Sequence, residues 1–182
     1  MASRSRRWSG TGGHISLAAD GSTNAPQFSV RKATANDAGA LARCRADLFR
    51  ELHNDPLAVT SGFEPACESM FEACFAVDTC AAWIAEAPNE PGPIGNLVLL
   101  KFPRLPTPAN LAISEGYILN VFVTHAWRNR GVASALVGSA IEYSQKSGFA
   151  RIRLHTTPAG RNIYAEQGFV LRDNEMELVI VV

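Results

Sequence analysis

Tyr117-Ile118-Leu119-Asn120-Val121-Phe122-Val123 runs through Thr124-His125-Ala126-Trp127 into Arg128-Asn129-Arg130-Gly131-Val132-Ala133-Ser134. The first seven residues are nearly all apolar, which predicts a central strand covered on both faces. Past the arginines the period becomes helical. Ala133, Leu136, Val137, Ala140 and Ile141 fall on one stripe, and Gly148 offers a stop, so a helix is predicted from about Asn129 to Lys146. The first turn of a helix has unpaired backbone N–H groups and the positive end of the dipole, and together these bind a phosphate. Gly131 lets backbone approach an anion with no Cβ in the way, and Ala133 is small for the same reason. Arg128 and Arg130 add forked donors suited to phosphate oxygens. Neither a Gly-Lys-Ser/Thr loop nor a GxGxxG turn is present, which argues against those two phosphate motifs.

Working outward, Ala81–Ala85 and Ile94–Leu100 read as strands joined by the turn Pro88-Asn89-Glu90-Pro91-Gly92-Pro93, an antiparallel hairpin. Upstream, Gln27–Arg31 alternates like a half-buried strand. Thr34-Ala35-Asn36-Asp37 offers a capping box for a helix carrying Leu41, Cys44 and Leu48. A second helix is predicted over Glu64–Val77, with Cys67, Met70, Phe71 and Cys74 on one stripe. Downstream come a strand at Arg151–Leu154, a short helix over Ala159–Gln167 ended by Gly168, and a closing hairpin of Phe169–Leu171 with Met176–Val182. The order β-α-α-β-β-β-α-β-α-β-β predicts an α/β (α+β) fold. Its sheet is mixed and mostly antiparallel, with about seven strands and helices on both faces.

Residues 1–26 are rich in Ser, Gly, Thr and Arg and poor in large apolar groups, so a disordered extension is expected ahead of one domain over 27–182. The basic start is followed by no apolar core of a secretory signal, and no run approaches the roughly 20 apolar residues of a membrane span. A formal net charge of zero speaks against a nucleic-acid binder that relies on a broadly basic surface. The four cysteines form no CxxC pair and have no histidine at metal-site spacing, so they read as small core residues in a reducing cytoplasm, with no metal. The apolar end Leu178–Val182 offers an edge that a second copy would extend into a homodimer.

Arg128, Gly131 and Ala133, directly after a central strand and at a helix start, resemble the signature of the GNAT superfamily of acetyltransferases. That signature is Arg or Gln, two residues, Gly, one residue, then Gly or Ala. Arg161-Asn162-Ile163-Tyr164-Ala165-Glu166-Gln167-Gly168-Phe169 is similar to the family's second signature, a short helix carrying a Tyr and running into Gly-Phe. The element order from Gln27 to Val182 matches as well. One departure is Thr157, seven residues before the Tyr, where the family often has Asn.

The resemblance implies that the fourth and fifth strands splay apart to admit the pantetheine arm of acetyl-CoA along Val121, Phe122 and Val123. It puts the pyrophosphate on the amides of Arg130, Gly131, Val132, Ala133 and Ser134, next to Arg128 and Asn129, with Thr157 and Gly160 also beside the cofactor. It further implies direct transfer to a primary amine, of a small molecule or a protein, in a ternary complex. Tyr164 would be the general acid, and the N–H of Phe122 or Val123 would stabilise the oxyanion. Glu115 is the candidate base, two residues short of the family position at Tyr117; His155 and Glu51 are further candidates. The alternatives are a non-catalytic module that binds acyl-CoA and a phosphate module for nucleotides.

Overall fold

The computed structural model describes residues 27–172 and residue 178. Five strands form one sheet in chain order: β1 (Ser29–Lys32), β2 (Cys80–Glu86), β3 (Gly95–Pro103), β4 (Ser114–Val123) and β5 (Ile152–Leu154). The first four pair antiparallel, and β5 pairs parallel with β4. A parallel pair needs a long crossover, and α3 (Val132–Lys146) provides it. α1 (Ala38–Leu52) and α2 (Phe63–Ala76) lie on the opposite face, and α4 (Arg161–Glu166) follows β5.

Strand alternation divides the core into two layers. Toward α3, Ala81, Trp83, Ala85, Leu97, Leu99 and Ile118 meet Val132, Leu136, Val137 and Ala140. Toward α1 and α2, Ala82, Ile84 and Val98 meet Ala38, Leu41, Ala42 and Phe71. Continuous apolar runs are what a sheet covered on both faces requires.

Local signals set the helix ends. The backbone N–H of Thr34 donates to Asp37 at 2.8 Å, closing the predicted capping box ahead of α1. At the other end of α3, Gly148 (φ 69°) and Phe149 donate to the carbonyls of Gln145 and Ser144. α4 ends alike, with Gly168 (φ 91°) and Phe169 donating to Ala165 and Tyr164. Both are Schellman stops, in which a left-handed residue satisfies the last carbonyls.

Four expectations change. Helix α3 starts at Val132 rather than near Asn129, because Asn129 (φ 58°) and Gly131 (φ 81°) are left-handed and end the turn before it. Met70 is exposed, and only Phe71 of the α2 stripe is fully buried. The described residues hold five strands rather than about seven. Phe169–Leu171 is not a strand, since the amide of Phe169 closes α4 and its ring packs on Tyr164. The expected final strand and dimer edge lie outside the described residues, save for residue 178, as does the expected 1–26 extension.

Candidate active site

β4 carries an irregularity that its apolar composition hid. Asn96 stands opposite Phe122 and Val98 opposite Leu119, so Asn120 and Val121 together face Leu97. Asn120 is left-handed (φ 54°), the conformation of a bulge. Before the bulge Ile118 points toward α3; after it Val121 and Val123 do, so the extra residue re-aims the strand. The missed signal is an Asn inside an apolar run, a residue type that tolerates left-handed backbone. The side-chain amides of Asn120 and Asn96 are buried, with no hydrogen-bond partner among the described residues.

β5 stays with β4 only from Gly116/Ile152 to Ile118/Leu154. β4 continues to Val123, so its last five residues border an opening between the two strands. The N–H of Thr124 donates back to Ile94 beside β3. Alternation therefore turns the backbone of Phe122 toward β3, and that of Val121 and Val123 toward the opening. Of the three residues expected to line a pantetheine arm, two present backbone groups there.

The start of α3 lies where β4 ends. Its first residues follow left-handed Gly131, and no side chain among the described residues caps them. Ala135 donates to the Gly131 carbonyl at 2.9 Å, so the N–H groups of Val132, Ala133 and Ser134 precede the first helical bond. A Cβ added at Gly131 would meet nothing within 4 Å. Both arginines also have partners within the chain. Arg128 gives its Nε to the Val123 carbonyl at 3.0 Å and pairs with Glu51 at the end of α1. Arg130 stacks 5.1 Å from the Trp127 ring, whose Nε1 donates to Glu90 at 2.8 Å. Arg128 thus braces the turn through partners that sequence spacing does not reveal.

Tyr164 is half-buried against the α3-side core, edge-on to Phe169 at 5.8 Å, and burial pushes its phenol above the usual range. Thr157 accepts from the Gly160 N–H at 3.3 Å and so caps the turn into α4. A Cβ at Gly160 would come to 3.1 Å from the Thr156 hydroxyl and to 3.6 Å from the Tyr164 ring, so the turn packs closely against both.

Of the three base candidates, two are held by arginines. Glu51 pairs with Arg128. Glu115 is 5% exposed and accepts from Arg151 and Arg153, each at 2.6 Å, with Arg104 at 3.9 Å. Burial would raise its carboxyl, but the hydrogen bond from Arg151 and the charges of Arg153 and Arg151 outweigh burial and hold it below the usual range. His155, just past β5, shares a hydrogen bond through Nδ1 with the Tyr117 hydroxyl. Tyr117 stands opposite Arg153 in the register, so this pair lies beside the point where the strands part.

The model of the Acetyltransferase (GNAT) family matches residues 46–169. A GCN5-related N-acetyltransferase from Ralstonia eutropha JMP134 is 25% identical, with a TM-score of 0.71 over 84% of this chain and 98% of that one. A predicted acetyltransferase from Clostridium acetobutylicum, solved with acetyl-CoA, is 24% identical (TM-score 0.72; 84% and 96% covered). Glucosamine-6-phosphate N-acetyltransferase from Arabidopsis thaliana is 15% identical (TM-score 0.66; 85% and 99% covered). The last two likenesses speak to fold alone. No curated protein matches the chain.

Proposed function

The chain belongs to the acetyltransferase (GNAT) family, and from that premise we propose that it transfers acetyl from acetyl-CoA directly to a primary amine, with both substrates bound together. The observation that carries this reading is the opening between β4 and β5 beyond Ile118 and Leu154, with the uncapped start of α3 at its end. Such a slot fits the cofactor chemically. Exposed strand groups of Val121 pair with amides of the arm, as an added strand would, while the Val123 carbonyl is already held by Arg128. The N–H groups of Val132, Ala133 and Ser134 and the helix dipole receive the pyrophosphate. Arg128, Asn129, Arg130 and Gly131 shape the turn, while Thr157 and Gly160 border the cofactor from the α4 side. The acetyl-CoA-bound relative from C. acetobutylicum supports the choice of cofactor by fold.

Acetyl-CoA supplies an activated acetyl thioester. Tyr164, whose phenol burial pushes above the usual range, holds a proton for the departing sulfur. The Val123 N–H, facing the opening by strand alternation, is the donor placed for the carbonyl oxygen. An acceptor ammonium must lose a proton before attack, and imidazole is the side chain that exchanges protons near neutral pH. We assign that proton to the Tyr117–His155 pair and not to Glu115, whose carboxylate oxygens are already held by arginines. Four cysteines without disulfides suit a reducing compartment such as the cytoplasm.

The test combines thiol release from acetyl-CoA over a panel of amines with calorimetry on Gly131→Asp. Turnover separates an enzyme from a module that only binds acyl-CoA. The Asp substitution puts a negative charge at the helix start and should abolish CoA binding while the protein stays folded. Unchanged affinity in that variant would refute the cofactor site.

A further inference from the structure

Two partners hold the Arg128 side chain. Its Nε donates to the Val123 carbonyl at 3.0 Å, at the end of β4, and a terminal nitrogen pairs with Glu51 in the last turn of α1. Arg128 makes no other side-chain hydrogen bond or ion pair among the described residues. The two side chains of the ion pair are 40% and 43% exposed, where such a pair adds little stability. The contacts serve placement, and what they place is the last residue of β4.

Two peptide planes meet at Val123. In the first, a Cβ added at Gly95 would lie 2.8 Å from the Phe122 carbonyl oxygen, so that oxygen is turned against β3. A trans peptide holds its N–H opposite its C=O, and no described peptide bond is cis. The Val123 N–H therefore points away from β3, into the opening between β4 and β5. In the second plane the Thr124 N–H donates to the Ile94 carbonyl at 2.9 Å, which turns the Val123 C=O toward the opening as well. Unpaired, that oxygen would put a partial negative charge beside the N–H facing the same way. Arg128 covers it. Val123 then offers the opening a donor, with a cation in place of the acceptor.

As an amine adds to a thioester, the carbonyl oxygen gains negative charge, and a donor fixed beforehand stabilises it best. The Val123–Thr124 plane is held on one side by Ile94 and on the other by Arg128, so the adjoining N–H has little freedom to turn away. The pyrophosphate has other donors in the N–H groups of Val132, Ala133 and Ser134, which precede the first helical bond. Resting on the acetyltransferase reading, we propose that Arg128 is a positioning residue for the thioester carbonyl. Clamped by Glu51, it covers the Val123 carbonyl and fixes the Val123 N–H as the oxyanion donor. It acts on the acetyl group and not on the pyrophosphate.

The experiment uses the full chain and acetyl-CoA labelled with carbon-13 at the thioester carbonyl. Calorimetry gives its Kd, difference infrared spectroscopy gives the carbonyl stretch when bound, and thiol release gives kcat with an accepted amine. In the wild type the bound carbonyl band should lie below its position in solution. Arg128→Leu should return the band toward the solution position and lower kcat about tenfold or more, a part of the roughly 10²–10³-fold that a whole oxyanion donor contributes. The acetyl-CoA Kd should stay within a few-fold. Arg128→Gln sets a nitrogen as many bonds from Cα as Nε, without the charge, and should recover most of both effects. If Arg128→Leu fails to fold, Glu51→Ala keeps the test open, because releasing the clamp must move the band the same way. An unshifted wild-type band, a shift untouched in Arg128→Leu, or Arg128→Gln no better than Arg128→Leu would each overturn the proposal. So would a Kd raised tenfold or more with kcat retained, which would make Arg128 a phosphate ligand. Failure of the wild type to bind acetyl-CoA would instead defeat the cofactor reading, and this proposal with it.

Discussion

Tyr164 owes its assignment to two properties that one substitution separates. Its ring fills space beside Phe169, and its phenol carries a proton that burial makes harder to lose. Tyr164→Phe keeps the ring and deletes the proton. A general acid contributes about 10²–10⁴-fold, so kcat and kcat/KM should fall together by that order while the acetyl-CoA Kd stays within a few-fold. Wild-type turnover would reduce Tyr164 to packing. His155→Gln asks the same of the base. It keeps a polar side chain next to Tyr117 but cannot take up a proton, so kcat should fall about 10²-fold or more, with the acetyl-CoA Kd unchanged. An undiminished rate would return the role to water. The helix that carries Tyr164 and its Gly-Phe stop were legible because they are local in sequence. The partners of Glu115 and His155 were not, because they lie 36 to 38 residues away.

At the scale of elements, the entry into α1 shows how local chemistry sets a boundary. Asp37 caps the turn through Thr34 and also accepts two hydrogen bonds from Arg31, at 2.8 and 2.9 Å. The Arg31 bonds, against an opposing effect of burial and with help from Thr34, hold the carboxyl well below the usual carboxylate range. A depressed folded-state pKa stabilises the native state above the unfolded value, near 3.9, and that stability is lost as pH falls further toward the folded value. Asp37→Asn should therefore cost roughly 1–2 kcal/mol at neutral pH, lowering Tm by about 2–8 °C. The gap from wild type should narrow as the pH drops below about 4. Thermal scans across pH would show it, and a pH-independent difference would mean that shape rather than charge matters here. The same locality made the end of α3 readable from Gly148. Its start was misplaced by three residues, because helical periodicity does not report that Asn129 and Gly131 are left-handed.

For the molecule as a whole, residues 1–26 are poor in large apolar side chains. Removing them should leave Tm within a degree or two and acetyl-CoA affinity within about twofold, since a segment with little apolar surface to bury adds little. A loss of many degrees would show that this segment packs on the domain. Strand periodicity, the helix stripe after Gly131, the capping box and the glycine stops could all be read in the chain, because each depends on neighbours within a few residues. They sufficed for the element order as far as the helix after β5, for the two-faced sheet and for a helix that starts where β4 ends. Folding alone revealed the bulge at Asn120, the distance over which β5 stays paired with β4, the clasp of Arg128 on Glu51 from 77 residues away, and the arginine shell of Glu115. Register and charge pairing between distant segments depend on which surfaces meet in space, and a one-dimensional pattern carries that information only weakly.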